Sequence, residues 1–189
     1  MRARATLGAV VLALALLGGG CDDAPDAAAA PPPRALTAAA TGHYCNMNVL
    51  EHAGPKGQIL LRSRPEPVWF TSARDALAFT MLPEEPKDVL AIYVSDMGRA
   101  PDWERPGAEN WVEARKALYV IGSDRRGGMG AEEAVPFAER AAAERFVAEN
   151  GGRVVAFGEV PRDYVLGGAA ADAPPPPSAP AGSAPAHRH

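Results

Sequence analysis

The sequence predicts an α+β domain, and three observations carry that expectation. Five short apolar segments are bounded by Gly, Pro, Asn, Asp and Ser, the punctuation of strands. Two longer segments have helical pattern, and the second stops at Gly151-Gly152 before another apolar run. There is also a faint internal repeat: Phe70 and Phe79 are nine residues apart, as are Phe137 and Phe146, each pair spanning the start and body of a helix. Two similar ββαβ units facing one another fit this pattern, although so short a match also arises by chance.

Taken in chain order, residues 1–20 read as an export signal. Arg2 and Arg4 form a basic start, Leu7 to Leu17 is continuously apolar, and Gly18-Gly19-Gly20 supplies the small-residue cleavage site. Cys21 directly after those glycines resembles the lipidated first residue of a bacterial lipoprotein, which places the chain in the periplasm on a lipid anchor. Diacylglycerol plus an N-acyl chain would give the multiple acyl chains stable anchoring needs. Asp22 resembles an inner-membrane retention signal. Residues 21–35 hold little to bury and read as a flexible tether.

The folded domain is expected over 36–166. Its predicted strands are Gln58–Arg62, Val68–Thr71, Leu90–Val94, Ala117–Ile121 and Arg153–Phe157, and its helices Ser72–Thr80 and Phe137–Asn150. Pro101–Asn110, rich in Pro, Gly and acids, reads as a surface loop. Residues 167–189 are mostly Gly, Ala, Pro and Ser and are expected to form a disordered tail. His187 and His189 end that tail as an incidental polar terminus.

Composition excludes several function classes. The formal charge is -4, which argues against a nucleic-acid partner, since neutralising phosphates needs a basic surface. Two cysteines are too few for a disulfide scaffold or a four-thiolate zinc site. No phosphate-binding loop is present, acids are scattered rather than paired, and Cys45 has no Cys-x-x-Cys partner, so no catalytic residues are expected and the chain reads as a non-enzyme.

One segment carries chemistry. Residues 43–52 read His-Tyr-Cys-Asn-Met-Asn-Val-Leu-Glu-His. If it is extended, His43, Cys45 and Met47 share one face. Thiolate and thioether together favour Cu(I), whereas zinc wants more thiolates or imidazoles and hard cations want carboxylates. Cys45 and Met47 are the leading ligand candidates. His43 and His52 are further possibilities. Met129, set between glycines in Gly127-Gly128-Met129-Gly130, has no ordinary core role, and a loop presenting one thioether explains it. The expectation is that this loop folds over the Cys45–Met47 segment. Met97, in Ser95-Asp96-Met97-Gly98, is a weaker candidate.

These residues also resemble a known family. Gly42-His43-Tyr44-Cys45-Asn46-Met47-Asn48, Glu51-His52, Gly54-Pro55-Lys56, Arg74-Asp75-Ala76, Tyr93-Val94-Ser95-Asp96-Met97-Gly98, Trp103, Asn110-Trp111, Gly122-Ser123 and Gly127-Gly128-Met129-Gly130-Ala131 before Val135-Pro136-Phe137 are similar to NosL. The resemblance implies the two-unit ββαβ fold, Cu(I) bound through Cys45 and Met47 with Met129 next, and delivery of copper to the copper-sulfide centre of apo nitrous oxide reductase in denitrification. It also implies a membrane ABC transporter complex with a periplasmic solenoid subunit as intermediary. Two alternatives stand beside this metallochaperone reading. A blue-copper electron carrier wants two His, one Cys and an axial Met from distant strands, which the compact spacing does not supply. A thiol oxidoreductase using Cys45 would turn over without metal.

Overall fold

A computed structural model describes residues 30–167. The signal peptide, Cys21, the first part of the expected tether and the tail from residue 168 lie outside the described residues.

The domain is two ββαβ units. In the first, β1 (Gly57–Leu61) and β2 (Val68–Phe70) form a hairpin, α1 (Ala73–Met81) follows, and β3 (Val89–Ser95) returns beside β1. β4 (Trp111–Glu113) joins the far side of β3, giving the order β2-β1-β3-β4. In the second unit, β5 (Leu118–Ile121) pairs with β6 (Val135–Phe137), α2 (Arg140–Asn150) follows, and β7 (Arg153–Ala156) closes a three-stranded sheet in the order β6-β5-β7. All recorded strand pairings are antiparallel. A short helix α3 (Arg162–Leu166) ends the described chain against α1, and its following Gly167 adopts φ 82°.

Side-chain alternation explains the layering. Ile59 and Leu61 on β1, Ile92 and Val94 on β3, and Tyr119 and Ile121 on β5 all enter one large core with α1. That core therefore belongs to both units and holds them together. The intervening residues point the other way: Leu60, Ala91 and Tyr93 form a small cluster with Trp111, and Val120 joins Val135, Phe137 and α2. Ser72 caps α1, accepting a hydrogen bond from the Asp75 backbone N–H at 3.3 Å.

The repeat has a physical basis. Phe70 meets Phe79 at 5.6 Å between ring centroids, and Phe137 meets Phe146 at 5.3 Å. In each unit a phenylalanine at the end of the second strand packs on one in the following helix.

The structure departs from the sequence reading in five places. Phe137 ends β6 rather than starting a helix, which begins at Arg140; Pro136 is tolerated there because β6 is an edge strand. β4 and α3 were not expected. Residues 31–35 are not free tether: Arg34 and Gln58 exchange two hydrogen bonds of 2.8 Å, and the Tyr93 hydroxyl donates to the Pro31 carbonyl. The segment from His43 to Met47 is a tight loop, not a strand. Among the described residues no helix is long and apolar enough to cross a membrane.

Candidate metal centre

The loop bearing Cys45 and Met47 is closed by its own backbone. Thr41 bridges Asn48, the Gly42 N–H donates to the Met47 carbonyl at 2.9 Å, and the Asn46 N–H donates to the Gly42 carbonyl at 2.8 Å. Asn46 sits at φ 55°, a left-handed conformation that asparagine accepts more readily than most residues. This curl replaces the alternation expected of a strand, so His43, Cys45 and Met47 do not line one face by periodicity.

Each side chain finds a different setting. Cys45 is half-buried and free, with Sγ 3.8 Å from the Thr71 hydroxyl oxygen. A Cβ on Gly42 would lie 2.7 Å from that sulfur, so glycine keeps the space beside the thiol open. Met47 is 39% exposed. His43 packs edge-on against Phe70 and Phe79, with Nε2 3.2 Å from Glu85 Oε1. Tyr44 donates to the same Glu85 oxygen at 2.9 Å, and burial together with that carboxylate pushes its phenol pKa well up. Glu85 thus anchors the outer side of the loop.

The glycine loop approaches a different part of the segment than expected. A Cβ on Gly128 would fall 2.6 Å from His52 Cβ and 2.8 Å from the Ala53 carbonyl oxygen. The Gly54 N–H donates to the Trp103 carbonyl, and the Gly127 Cα lies 3.6 Å from where a Gly54 Cβ would stand. The loop therefore presses on His52–Gly54, just beyond the ligand loop. Its glycines are needed for close approach. Met129 at its tip is 54% exposed. His52 keeps Nε2 buried without a hydrogen-bond partner. Met97 packs into the second core cluster.

Two buried charges underlie these loops, and sequence reasoning missed both as well as Glu85 and Thr71. Lys56, 1% exposed, donates from Nζ to the carbonyls of His52, Ala53 and Thr71. Burial lowers its pKa to about 8, with Glu133 opposing the shift. Glu133, also 1% exposed, reaches across from the second unit. Its Oε1 accepts from Ser72 Oγ at 3.2 Å, the Arg74 N–H at 2.9 Å and the Ala134 N–H at 2.9 Å. Burial raises its pKa to about 7 despite those bonds. A Cβ on Gly127 would meet its other oxygen at 2.8 Å. The signal available in sequence was the Lys in Gly54-Pro55-Lys56, immediately before an apolar strand.

Among the described residues no three His, Cys, Asp or Glu side chains gather into a metal site. The soft groups that remain are one thiol and exposed thioethers, a donor set that suits Cu(I). A family model, NosL, matches residues 33–165. The chain belongs to the NosL family. It is 46% identical to the copper-binding lipoprotein NosL of Achromobacter cycloclastes over 88% of this chain and 85% of that protein. It is 34% identical to the copper-binding lipoprotein NosL of Stutzerimonas stutzeri over 82% of this chain and 78% of that one. The crystal structure of the copper chaperone NosL from Shewanella denitrificans matches with TM-score 0.65 and 33% identity, covering 70% of this chain and 98% of that chain. These NosL relatives are named as copper binders and a chaperone, not as enzymes.

Proposed function

We propose that this NosL-family chain is an exported, membrane-anchored Cu(I) carrier that delivers copper for assembly of the copper-sulfide centre of nitrous oxide reductase. The observation that carries the reading is the donor set: the half-buried Cys45 thiol and the exposed Met47 on one loop, with the exposed Met129 on a loop of the other unit that packs on the adjoining His52–Gly54. A deprotonated thiol with thioethers holds Cu(I) without satisfying a closed shell. An accessible, under-coordinated ion can pass to a better-ligated recipient by ligand exchange. His43 is engaged by Glu85, and the Nε2 of His52 is buried, so the two-imidazole set of a blue-copper carrier is not presented.

The immediate recipient in this reading is a membrane ABC transporter complex with a periplasmic solenoid subunit, and the final one is apo nitrous oxide reductase; both rest on family membership. Cys21 carries the lipid, and Asp22 beside it favours the inner membrane. Copper titration under reducing conditions tests the core of the proposal. The mature protein should bind about one Cu(I), and Cys45→Ser should weaken binding more than Met47→Leu. Equal affinity in the parent and Cys45→Ser would overturn the site. An unmodified native N-terminus by mass spectrometry would overturn the anchor.

A further inference from the structure

The β1–β2 hairpin separates two functional ends. The candidate metal centre sits where Lys56 enters β1 and Thr71 leaves β2. The connecting turn, residues 62–67, lies at the opposite end of a five-residue strand, roughly 16 Å away. Beside that turn is a groove of about 670 Å³ lined by three arginines, Arg34, Arg62 and Arg64, and by no carboxylate. All three arginines are exposed, and among the described residues none is in an ion pair. Two acids flank the arginines: Asp88 accepts the Ser63 N–H at 2.6 Å and feels the Arg62 charge, and Glu66 shares an adjoining groove with Arg34 and Arg64. Leu90, 37% exposed, and Pro31 supply apolar surface in the same groove.

The chain enters the domain at this groove. Nine residues separate Cys21 from Pro31, so the segment can span at most about 35 Å. Given the lipid anchor proposed above, the chain reaches the domain from the bilayer at this face, and the tether alone leaves its orientation to the surface contacts. We propose that the Arg34–Arg62–Arg64 groove docks on the anionic phosphate headgroups of that bilayer, which turns the candidate copper loops away from the membrane. Guanidinium groups match phosphate oxygens with bidentate geometry, and their attraction to an anionic leaflet acts within about 10 Å of the surface. Without residues 1–20, which hold Arg2 and Arg4 and no acid, 17 basic residues stand against 23 acidic ones, and this charge of -6 repels the rest of the molecule from the same surface, so docking has one preferred orientation.

Acylated mature protein in vesicles distinguishes the possibilities. Vesicles of phosphatidylcholine alone are compared with vesicles containing phosphatidylglycerol, and amide hydrogen exchange is followed by mass spectrometry. Anionic vesicles should slow exchange at residues 62–66 on the order of tenfold, and high salt should abolish the effect. Exchange at 43–52 should be the same in both vesicles. The Arg34→Ser, Arg62→Ser, Arg64→Ser triple variant should lose the protection yet titrate with Cu(I) like the parent, showing an intact fold. Equal exchange in both vesicles, protection that survives the triple variant, or protection of 43–52 instead would each overturn the docking proposal. A chain found unacylated would overturn anchoring and docking together. An acylated, vesicle-bound chain without anion-dependent protection would overturn docking alone.

Discussion

Replacing Glu133 by glutamine isolates the buried carboxylate that ties the two units together. Burial raises its pKa from 4.5 to about 7. The unfolded chain releases this proton near pH 4.5, whereas the folded chain keeps it until about pH 7. Between those values the folded state binds more protons, so this group's contribution to stability is full below pH 4.5 and is lost as pH rises through 7. The integrated loss is roughly 3 kcal/mol, a large share of the stability of a domain this size. Glutamine should preserve the fold, because all three recorded hydrogen bonds go to the single oxygen Oε1, which the amide oxygen can replace. It removes the ionisation. Urea unfolding at pH 4.5 and pH 8 should therefore give a difference between parent and variant that changes by roughly 3 kcal/mol across the range. Glu133→Ala should behave otherwise: it leaves the Ser72 hydroxyl and the Arg74 and Ala134 N–H groups without their acceptor. Each orphaned donor costs about 1–3 kcal/mol, so that loss should appear at every pH. A Glu133→Gln variant with the same pH slope as the parent would refute the assignment.

Further outcomes follow from the same geometry. Met129→Leu keeps volume and removes sulfur, so unfolding free energy should change by less than about 1.5 kcal/mol while Cu(I) affinity falls; unchanged affinity and unchanged sulfur coordination by X-ray absorption would return Met129 to a plain loop residue. Gly128→Ala puts a methyl into His52 and the Ala53 backbone, and the displaced loop should weaken copper binding and cost about 1–3 kcal/mol in denaturant unfolding. Lys56 titrates in the opposite sense to Glu133: with its pKa lowered to about 8, the folded chain sheds this proton first, so stability should rise from pH 8 toward 10.5, and Lys56→Met should remove that rise. Leu77→Ala, in the core shared by both units, should cost about 2–5 kcal/mol by thermal or urea unfolding.

Much of the fold was legible because strands and helices announce themselves locally. Val68-Trp69-Phe70 before Ser72 and its helix needs only β propensity, a cap and apolar spacing. The nine-residue phenylalanine spacing marked a repeat because one contact is built twice. The failures were also local in origin. Val135-Pro136-Phe137 is too short to separate from the helix behind it, and three-residue β4 exists because β3 offers it an edge at Tyr93–Ser95. The 43–47 segment looked extended, but Asn46 at positive φ and the Gly42–Met47 hydrogen bond curl it.

Sequence alone named which atoms are candidates for a soft metal: Cys45 is the sole cysteine of the expected domain, Met47 lies two residues from it, and Met129 sits between glycines where ordinary core packing does not explain it. Ligand chemistry belongs to residue identity and survives any rearrangement of the chain. Tertiary structure alone decided how those atoms are held. Glu85 grips His43 and Tyr44 from more than forty positions away, Lys56 pins the His52–Ala53 turn to Thr71, and Glu133 joins the second unit to the start of α1. Such contacts depend on distance in space and on the low dielectric that burial creates. Neither quantity is written in local sequence, because both arise only when remote segments exclude water together.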